Sequence, residues 1–181
     1  MAVTDGEVSS RAKAPDIPLI ERVKLQAQVL VPLVKTLRAE LGEARANELV
    51  RKALGDLYRE FGRSWWRRQR ADGLGERMAA AFGAFAAGDA LDFDVIRKTS
   101  DAFEVNVTGC RYAKFYQELG VPELGFLLVC SADFAMAEGY DAQVQFTRTQ
   151  TIMQGASHCD FRYKLKQEEL DGEEKGGAGN A

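Results

Sequence analysis

The side chains that could do chemistry in this 181-residue chain are concentrated in its last third. All three cysteines, Cys110, Cys130 and Cys159, lie there beside polar or charged neighbours. A thiolate can act as a nucleophile or metal ligand, and a carboxylate as a general acid or base. A functional site is therefore expected in this region, with the rest of the chain as its scaffold.

Cys110 follows Thr108-Gly109 at a predicted junction between a strand and a helix. Free backbone N–H groups and the helix dipole favour a thiolate at such a position, which predicts a thiol pKa below the usual value of about 8.5. The same N–H groups could stabilise an oxyanion on a substrate. The alternative is a small residue that only packs the first turn, because cysteine is often buried.

Cys130 and Asp133 are three residues apart and share one face of a predicted helix. Phe126 and Ala137 lie on that face, which is therefore the core-facing one. A carboxylate is costly to bury without a partner. Asp133 is thus expected either to have a structural partner, such as an arginine, or to act as a base or metal ligand.

Arg148 falls on the same alternation as Val144, Phe146 and Ile152, which places it on the core side of a predicted strand. A guanidinium there could form a buried ion pair with Asp133 or bind a substrate carboxylate in a bidentate clamp. In the last predicted strand, the alternation turns Cys159 to the core and Asp160 to the other face.

A tetrahedral site for Zn²⁺ or another divalent metal is a further possibility, with Cys110, Cys130, Cys159 and Asp133 as ligands. The cysteine spacings match no compact zinc motif. Trp66, in a Trp-Trp pair followed by two arginines, could bind a ligand by stacking or could pack on the sheet.

Composition limits the classes of function. The net charge of −3 argues against nucleic-acid binding, which favours a basic surface. No apolar segment is long enough for a secretory signal or a membrane span. An odd number of cysteines without a targeting segment predicts free thiols and a cytoplasmic location. Motifs for a phosphate-binding loop and for a serine nucleophile elbow are absent, which disfavours nucleotide-driven chemistry and ordinary serine hydrolysis.

The hydrophobic periodicity predicts an α+β fold, in which N-terminal helices precede a ββααββ unit that forms a four-stranded antiparallel sheet covered by helices. Predicted helices cover residues 17–41 (kinked or split at Pro32), 43–70, 75–87, 110–119 and 126–138. Predicted strands cover residues 92–98, 102–108, 142–153 and 158–166. Residues 17–166 are expected to form one domain, with a helical part at 17–90 and the ββααββ part at 91–166. The tails, 1–16 and 167–181, are predicted to be disordered, and the first helix could serve a homo-oligomer.

The segment from Thr108 to Tyr163 resembles the family of L-2-amino-thiazoline-4-carboxylic acid hydrolases. The resemblance rests on TGCRYAKFYQELGVPELGFLLVCSADFAMAEGY and FTRTQTIMQGASHCDFRY, which cover about a third of the chain. It implies hydrolytic opening of a thiazoline ring, with a small-molecule substrate. By this resemblance, Cys110 or Cys159 would be nucleophile or ligand, Asp133 and Asp160 acid and base, and Arg148 the carboxylate clamp.

The ending GASHCDF is also similar to small-molecule-sensing domains related to vinyl reductases, some of which hold zinc through cysteines and an acid. This second resemblance implies a binding domain without catalysis. For the hydrolase, Cys130 and Trp66 are expected to contact the substrate together with Arg148.

Overall fold

The structure is a computed structural model that describes residues 17–166. Three helices come first in this part of the chain. They are α1 (Leu19–Leu41), α2 (Glu43–Arg68) and α3 (Leu74–Ala86). Helix α1 continues through Pro32, so the predicted split does not occur. Val31 and Val34, on either side of this proline, pack into the core and hold the helix together. The two tails predicted to be disordered lie outside the described residues.

The sheet has four strands: β1 (Leu91–Lys98), β2 (Ala102–Cys110), β3 (Val144–Thr147) and β4 (Cys159–Leu165). Their order is β1-β2-β4-β3, and all neighbours are antiparallel. Alternation in β2 buries Phe103, Val105 and Val107 against the helices. The other face carries Glu104 beside the basic side chains of β1 and β4. The predicted α+β fold is thus confirmed.

Four short segments connect β2 to β3: α4 (Arg111–Glu118), α5 (Pro122–Gly125), a π-helical turn (Phe126–Cys130) and α6 (Ala132–Tyr140). The sequence predicts one regular helix over 126–138, whereas the structure has the π turn in it. The backbone N–H of Ser131 donates to the carbonyl of Phe126 at 2.8 Å, which is the wider π pattern. π turns are frequent at functional sites, and this one ends three residues before Asp133.

Strand β3 is much shorter than the predicted strand 142–153. It ends at Thr147 because the following backbone N–H groups bond to a side chain instead of a neighbouring strand. Asp160 accepts hydrogen bonds from the N–H groups of Thr149 and Gln150, each at 2.9 Å, and from the Thr149 hydroxyl at 2.6 Å. A 3₁₀ turn (Ile152–Gln154) then leads back to β4.

Replacing Asp160 with alanine should loosen the segment that carries Arg148. Burial acts to raise the pKa of Asp160, but hydrogen bonds from Thr149 and Gln150 outweigh it and hold the pKa below 3.8. The stabilisation is therefore present at neutral pH and is lost as the pH falls through this lowered pKa. We expect the free energy of unfolding at pH 7 to fall by about 1–2 kcal/mol, measured by urea titration.

The matched control is Asp94→Ala, which removes an exposed carboxylate from β1. It should change the free energy of unfolding by less than about 0.5 kcal/mol. Equal losses for the two variants would show that the three Asp160 hydrogen bonds do not stabilise the fold.

Candidate functional site

A buried ion pair between Arg148 and Asp133 forms the centre of the candidate site. Nη1 of Arg148 donates to the Asp133 carboxylate, and Nη2 donates to the Cys130 carbonyl at 3.0 Å. The guanidinium carbon lies 5.2 Å from the ring centroid of Phe134 and 5.3 Å from that of Phe161. The predicted pairing of Arg148 with Asp133 is thus what the structure contains.

The two members of the pair differ in accessibility. The side chain of Arg148 is 2% exposed and that of Asp133 is 27% exposed. A small molecule can therefore reach the pair only from the Asp133 side. The predicted role of Arg148 as a clamp for a substrate carboxylate lacks this access, since Asp133, Cys130 and two aromatic rings already surround the guanidinium.

Burial raises the pKa of Asp133 from 3.8 to about 6, although the charge of Arg148 and its hydrogen bond act in the opposite direction. The group is therefore mostly ionised at neutral pH and still accepts a proton readily. A pKa near the working pH is what a general base requires. Perturbed pKa values of this kind are concentrated at functional sites.

The three cysteines all lie close enough to Asp133 for its charge to act on their thiols. Desolvation is the main cause of a raised pKa at Cys110, Cys130 and Cys159, and the Asp133 charge adds to it in each case. The three residues come from β2, the π turn and β4, and their role in a functional site stays a prediction.

The predicted thiolate at Cys110 is wrong. Its sulfur does accept the N–H of Ala113 at 3.4 Å, so Cys110 caps α4 at the expected junction. Burial nevertheless raises its pKa to about 11, because the cost of burying the charge exceeds the help from the helix N-terminus. Cys159 is buried too, and its sulfur accepts the N–H of Ile152 at 3.2 Å.

The native thiols should therefore react slowly. All three cysteines are free, as predicted. A thiol with a pKa of about 11 has over 100-fold less thiolate at pH 8 than an ordinary cysteine. We expect a chromogenic disulfide reagent to modify Cys110 at least about 100-fold more slowly in the native than in the urea-unfolded protein, where three thiols should titrate at once. One native thiol that reacts at the rate of free cysteine would contradict this and identify a nucleophile.

No preformed metal centre is found in residues 17–166: no three side chains of histidine, cysteine, aspartate or glutamate are grouped closely enough to hold a metal ion. The predicted ligand set of Cys110, Cys130, Cys159 and Asp133 therefore converges on one region without forming a coordination cluster. The Asp133 carboxylate is bound to Arg148 instead.

Four tyrosines lie close enough to Asp133 for its charge to act on their hydroxyls, a feature that sequence reasoning missed. Burial and the Asp133 charge together raise the pKa of Tyr58, Tyr112, Tyr140 and Tyr163. Their helical or strand spacing marks them only as core residues, so the sequence carries no signal for this grouping.

Most of these hydroxyls have no protein partner. Tyr112 donates to the carbonyl of Phe85 at 3.0 Å, but within residues 17–166 no hydrogen bond involves the hydroxyl of Tyr58, Tyr116, Tyr140 or Tyr163. No fully buried polar side-chain atom in this part of the chain lacks a partner. Each of these hydroxyls must therefore adjoin accessible space, where it can bind water or a ligand.

The two remaining predicted site residues have structural contacts. Trp66 stacks on Tyr140, with ring centroids 5.7 Å apart, and the guanidinium of Arg77 lies 4.6 Å from its ring centroid. The ring thus packs against α6 and α3, and its contact with a ligand stays a prediction. Asp160 supports the segment after β3 that carries Arg148, so it acts on the site through positioning.

The comparisons with known proteins place the chain in a family. The model of the L-2-amino-thiazoline-4-carboxylic acid hydrolase family matches residues 22–163. This chain belongs to that family. The match extends well beyond the segment from Thr108 to Tyr163 and includes the N-terminal helices that cover the sheet. Every residue of the Asp133 region lies inside it.

Other comparisons are less specific. No curated protein matches the sequence. A crystal structure of the phenol-responsive sensory domain of the transcription activator PoxR, with phenol, is similar at 14% identity and a TM-score of 0.48. The similarity covers 75% of this chain and 72% of that one, and is too distant to assign a ligand. None of the helices within residues 17–166 has the length and apolar character needed to cross a membrane.

Proposed function

We propose that the protein is a hydrolase that opens a small ring containing a C=N or amide-like bond, as in a thiazoline carboxylate. The observation that carries this proposal is the Asp133 carboxylate. It is accessible from one side and has a pKa raised to about 6, and its charge acts on nearby tyrosine and cysteine side chains. The family match supports the same reaction class.

Activated water accounts for the chemistry better than a cysteine nucleophile does, since burial keeps all three thiols protonated. In the proposed reaction, Asp133 removes a proton from water as its oxygen adds to the electrophilic ring carbon. The electron pair of the C=N bond passes to the ring nitrogen, which takes up the proton of the added hydroxyl. The tetrahedral intermediate then collapses to a carbonyl with cleavage of the carbon–sulfur bond. The proton held on Asp133 passes to the leaving sulfur, which gives an N-carbamoyl amino acid with a free thiol.

Arg148 acts on this reaction by holding and tuning the base. Its charge keeps the pKa of Asp133 from rising further, so the carboxylate stays mostly ionised at neutral pH. Its contacts with Phe134 and Phe161 fix the direction from which it approaches the carboxylate. The free thiols also suit the reducing cytoplasm in which we propose that the protein works.

Turnover of a panel of 2-amino-thiazoline carboxylates and related cyclic amides tests the proposal, with thiol release as the readout. For an active substrate, kcat/KM should rise about tenfold per pH unit below pH 6 and level off above it, as Asp133 ionises. Arg148→Gln should move this rise to higher pH. An active protein whose pH profile does not change in Arg148→Gln would exclude Asp133 as the base.

A binding domain without catalysis is the second candidate. The observation that favours it is the set of four tyrosine hydroxyls without protein partners, which can hold a small molecule without any reaction. Ligands from the same panel that raise the melting temperature, with no thiol released over hours, would support this function over hydrolysis.

A further inference from the structure

An apolar groove lies on the outside of the molecule, and Tyr58, on which the Asp133 charge acts, is one of its lining residues. It has a volume of about 350 Å³ and lies between α1, α2 and the π turn. Its lining residues are mainly aliphatic: Val23, Val29, Leu30, Leu54, Leu57, Leu128 and Val129. Apart from two tyrosine hydroxyls, Gln26 supplies its only polar side chain, and no charged residue lines it.

Two tyrosines join this groove to the candidate site. Tyr58 and Tyr116 both line the groove, as does Val129, which precedes Cys130, whose carbonyl accepts a hydrogen bond from Arg148 at 3.0 Å. Tyr116 is 1% exposed, yet its hydroxyl has no partner within residues 17–166 and adjoins accessible space. Burial and the Asp133 charge raise the pKa of Tyr58, and burial, Tyr58 and Cys130 raise that of Tyr116 to about 12.

We infer that the substrate carries an uncharged apolar substituent, which lies in this groove while the polar ring contacts Asp133. The inference rests on the proposed function and specifies its substrate class. A cavity of about 150 Å³ can hold benzene, so the groove has room for a phenyl group or a short alkyl chain. Charged substituents would be desolvated against aliphatic walls without a partner, which disfavours them.

The substituent should improve catalysis in proportion to the apolar surface that it buries. Across thiazoline carboxylates with n-alkyl substituents of increasing length, kcat/KM should rise about fourfold per buried methylene until the groove is full. Val29→Trp, at a 67% exposed position on the rim, should abolish this gain by filling the groove. Leu33→Trp, 50% exposed on the same helix and outside the groove, is the matched control.

A binding measurement separates failure of this inference from failure of the proposed function. The uncharged fluorescent probe N-phenyl-1-naphthylamine should bind the wild-type protein and Leu33→Trp, and should bind Val29→Trp at least tenfold more weakly. This result does not depend on turnover. Equal kcat/KM along the alkyl series in an active protein would overturn the inference and leave the hydrolase proposal intact.

A second copy of the chain is the competing occupant of the groove. In that case the wild type and Leu33→Trp should dimerise, Val29→Trp should not, and the wild type should not bind the probe. This combination of results would overturn the inference in favour of a second copy. Sedimentation velocity at several protein concentrations, on the same three proteins, gives the oligomeric state.

Discussion

Replacing Asp133 with asparagine should stabilise the protein at neutral pH while it removes the proposed activity. Asparagine keeps an oxygen that accepts the hydrogen bond from Arg148, as the protonated carboxyl does. It carries no charge, so both the cost of burying an ionised carboxylate and the attraction of Arg148 for it disappear. The raised pKa of Asp133 shows that the cost is the larger of the two. It also cannot accept a proton from water, and loss of a general base typically lowers a rate by about 10²- to 10⁴-fold.

The sign of the stability change follows from the raised pKa. Below pH 3.8 the carboxyl of Asp133 is protonated in both folded and unfolded chains. Between pH 3.8 and about 6 the unfolded chain loses this proton first, so the wild-type protein loses stability as the pH rises. The full difference corresponds to about 3 kcal/mol, present from about pH 7 upward.

Urea titrations at pH 4 and pH 7 measure this difference for the wild type and Asp133→Asn. The variant should gain about 2 kcal/mol on the wild type between the two pH values, because part of the full difference is already present at pH 4. Asp94→Asn, which neutralises an exposed carboxylate on β1, should follow the wild type. If Asp133→Asn loses stability at pH 7, the ion pair with Arg148 is a stabilising contact, and a structural role is enough to account for the buried carboxylate.

The cost of burying an ionised carboxylate is the reason why Asp133 could be singled out from the sequence, by the helix face on which it lies. A carboxylate on an apolar helix face has to be explained by a partner or a function, and Arg148 falls on the core side of the next predicted strand. Each observation depends only on local periodicity, and together they predict the ion pair that the structure contains. The antiparallel hairpin of β1 and β2 was predictable for the same reason, because its apolar residues alternate.

Features that depend on tertiary contacts were not predictable in this way. The valine and threonine content after Ala142 favours a long strand, but Asp160 binds the N–H groups of Thr149 and Gln150 and ends β3 at Thr147. At Cys110 the helix N-terminus, which lowers the pKa of a thiol, can be predicted from the sequence. The depth of burial, which raises the pKa, depends on the whole fold. The tyrosine hydroxyls converge on Asp133 from four separate elements, so no local pattern reveals them.

The contact between α2 and α6 is a second place where tertiary structure overrides propensity. Glycine lowers helix stability, so Gly62 looks like a weak point of α2 in the sequence. In the structure its Cα faces α6 directly. A Cβ atom there would lie 2.2 Å from the carbonyl oxygen of Met136, and a Cβ on Gly139 would lie 2.2 Å from the carbonyl oxygen of Arg59. The two glycines thus let the backbones of α2 and α6 approach each other closely. This contact holds α6, the helix that carries Asp133, in place.

Gly62→Ala should therefore destabilise the protein strongly, even though alanine is the better helix former. The clash is with backbone, which cannot rotate away, so α2 and α6 must separate. Overpacking of this kind typically costs about 1–3 kcal/mol and occasionally more, and we expect about 3 kcal/mol here. Because α6 shifts with the contact, the pH-dependent stability difference at Asp133 should shrink as well.

Gly83→Ala provides the matched control. Gly83 lies in α3, is exposed, and a Cβ atom there would meet nothing within 4 Å. The same substitution should therefore stabilise the protein by up to about 1 kcal/mol through helix propensity alone. Opposite signs for the two variants in urea titrations would establish that close backbone approach, and not glycine itself, determines the effect. A neutral or stabilising Gly62→Ala would mean that α2 and α6 can move apart at little cost, and that the position of Asp133 does not depend on this contact.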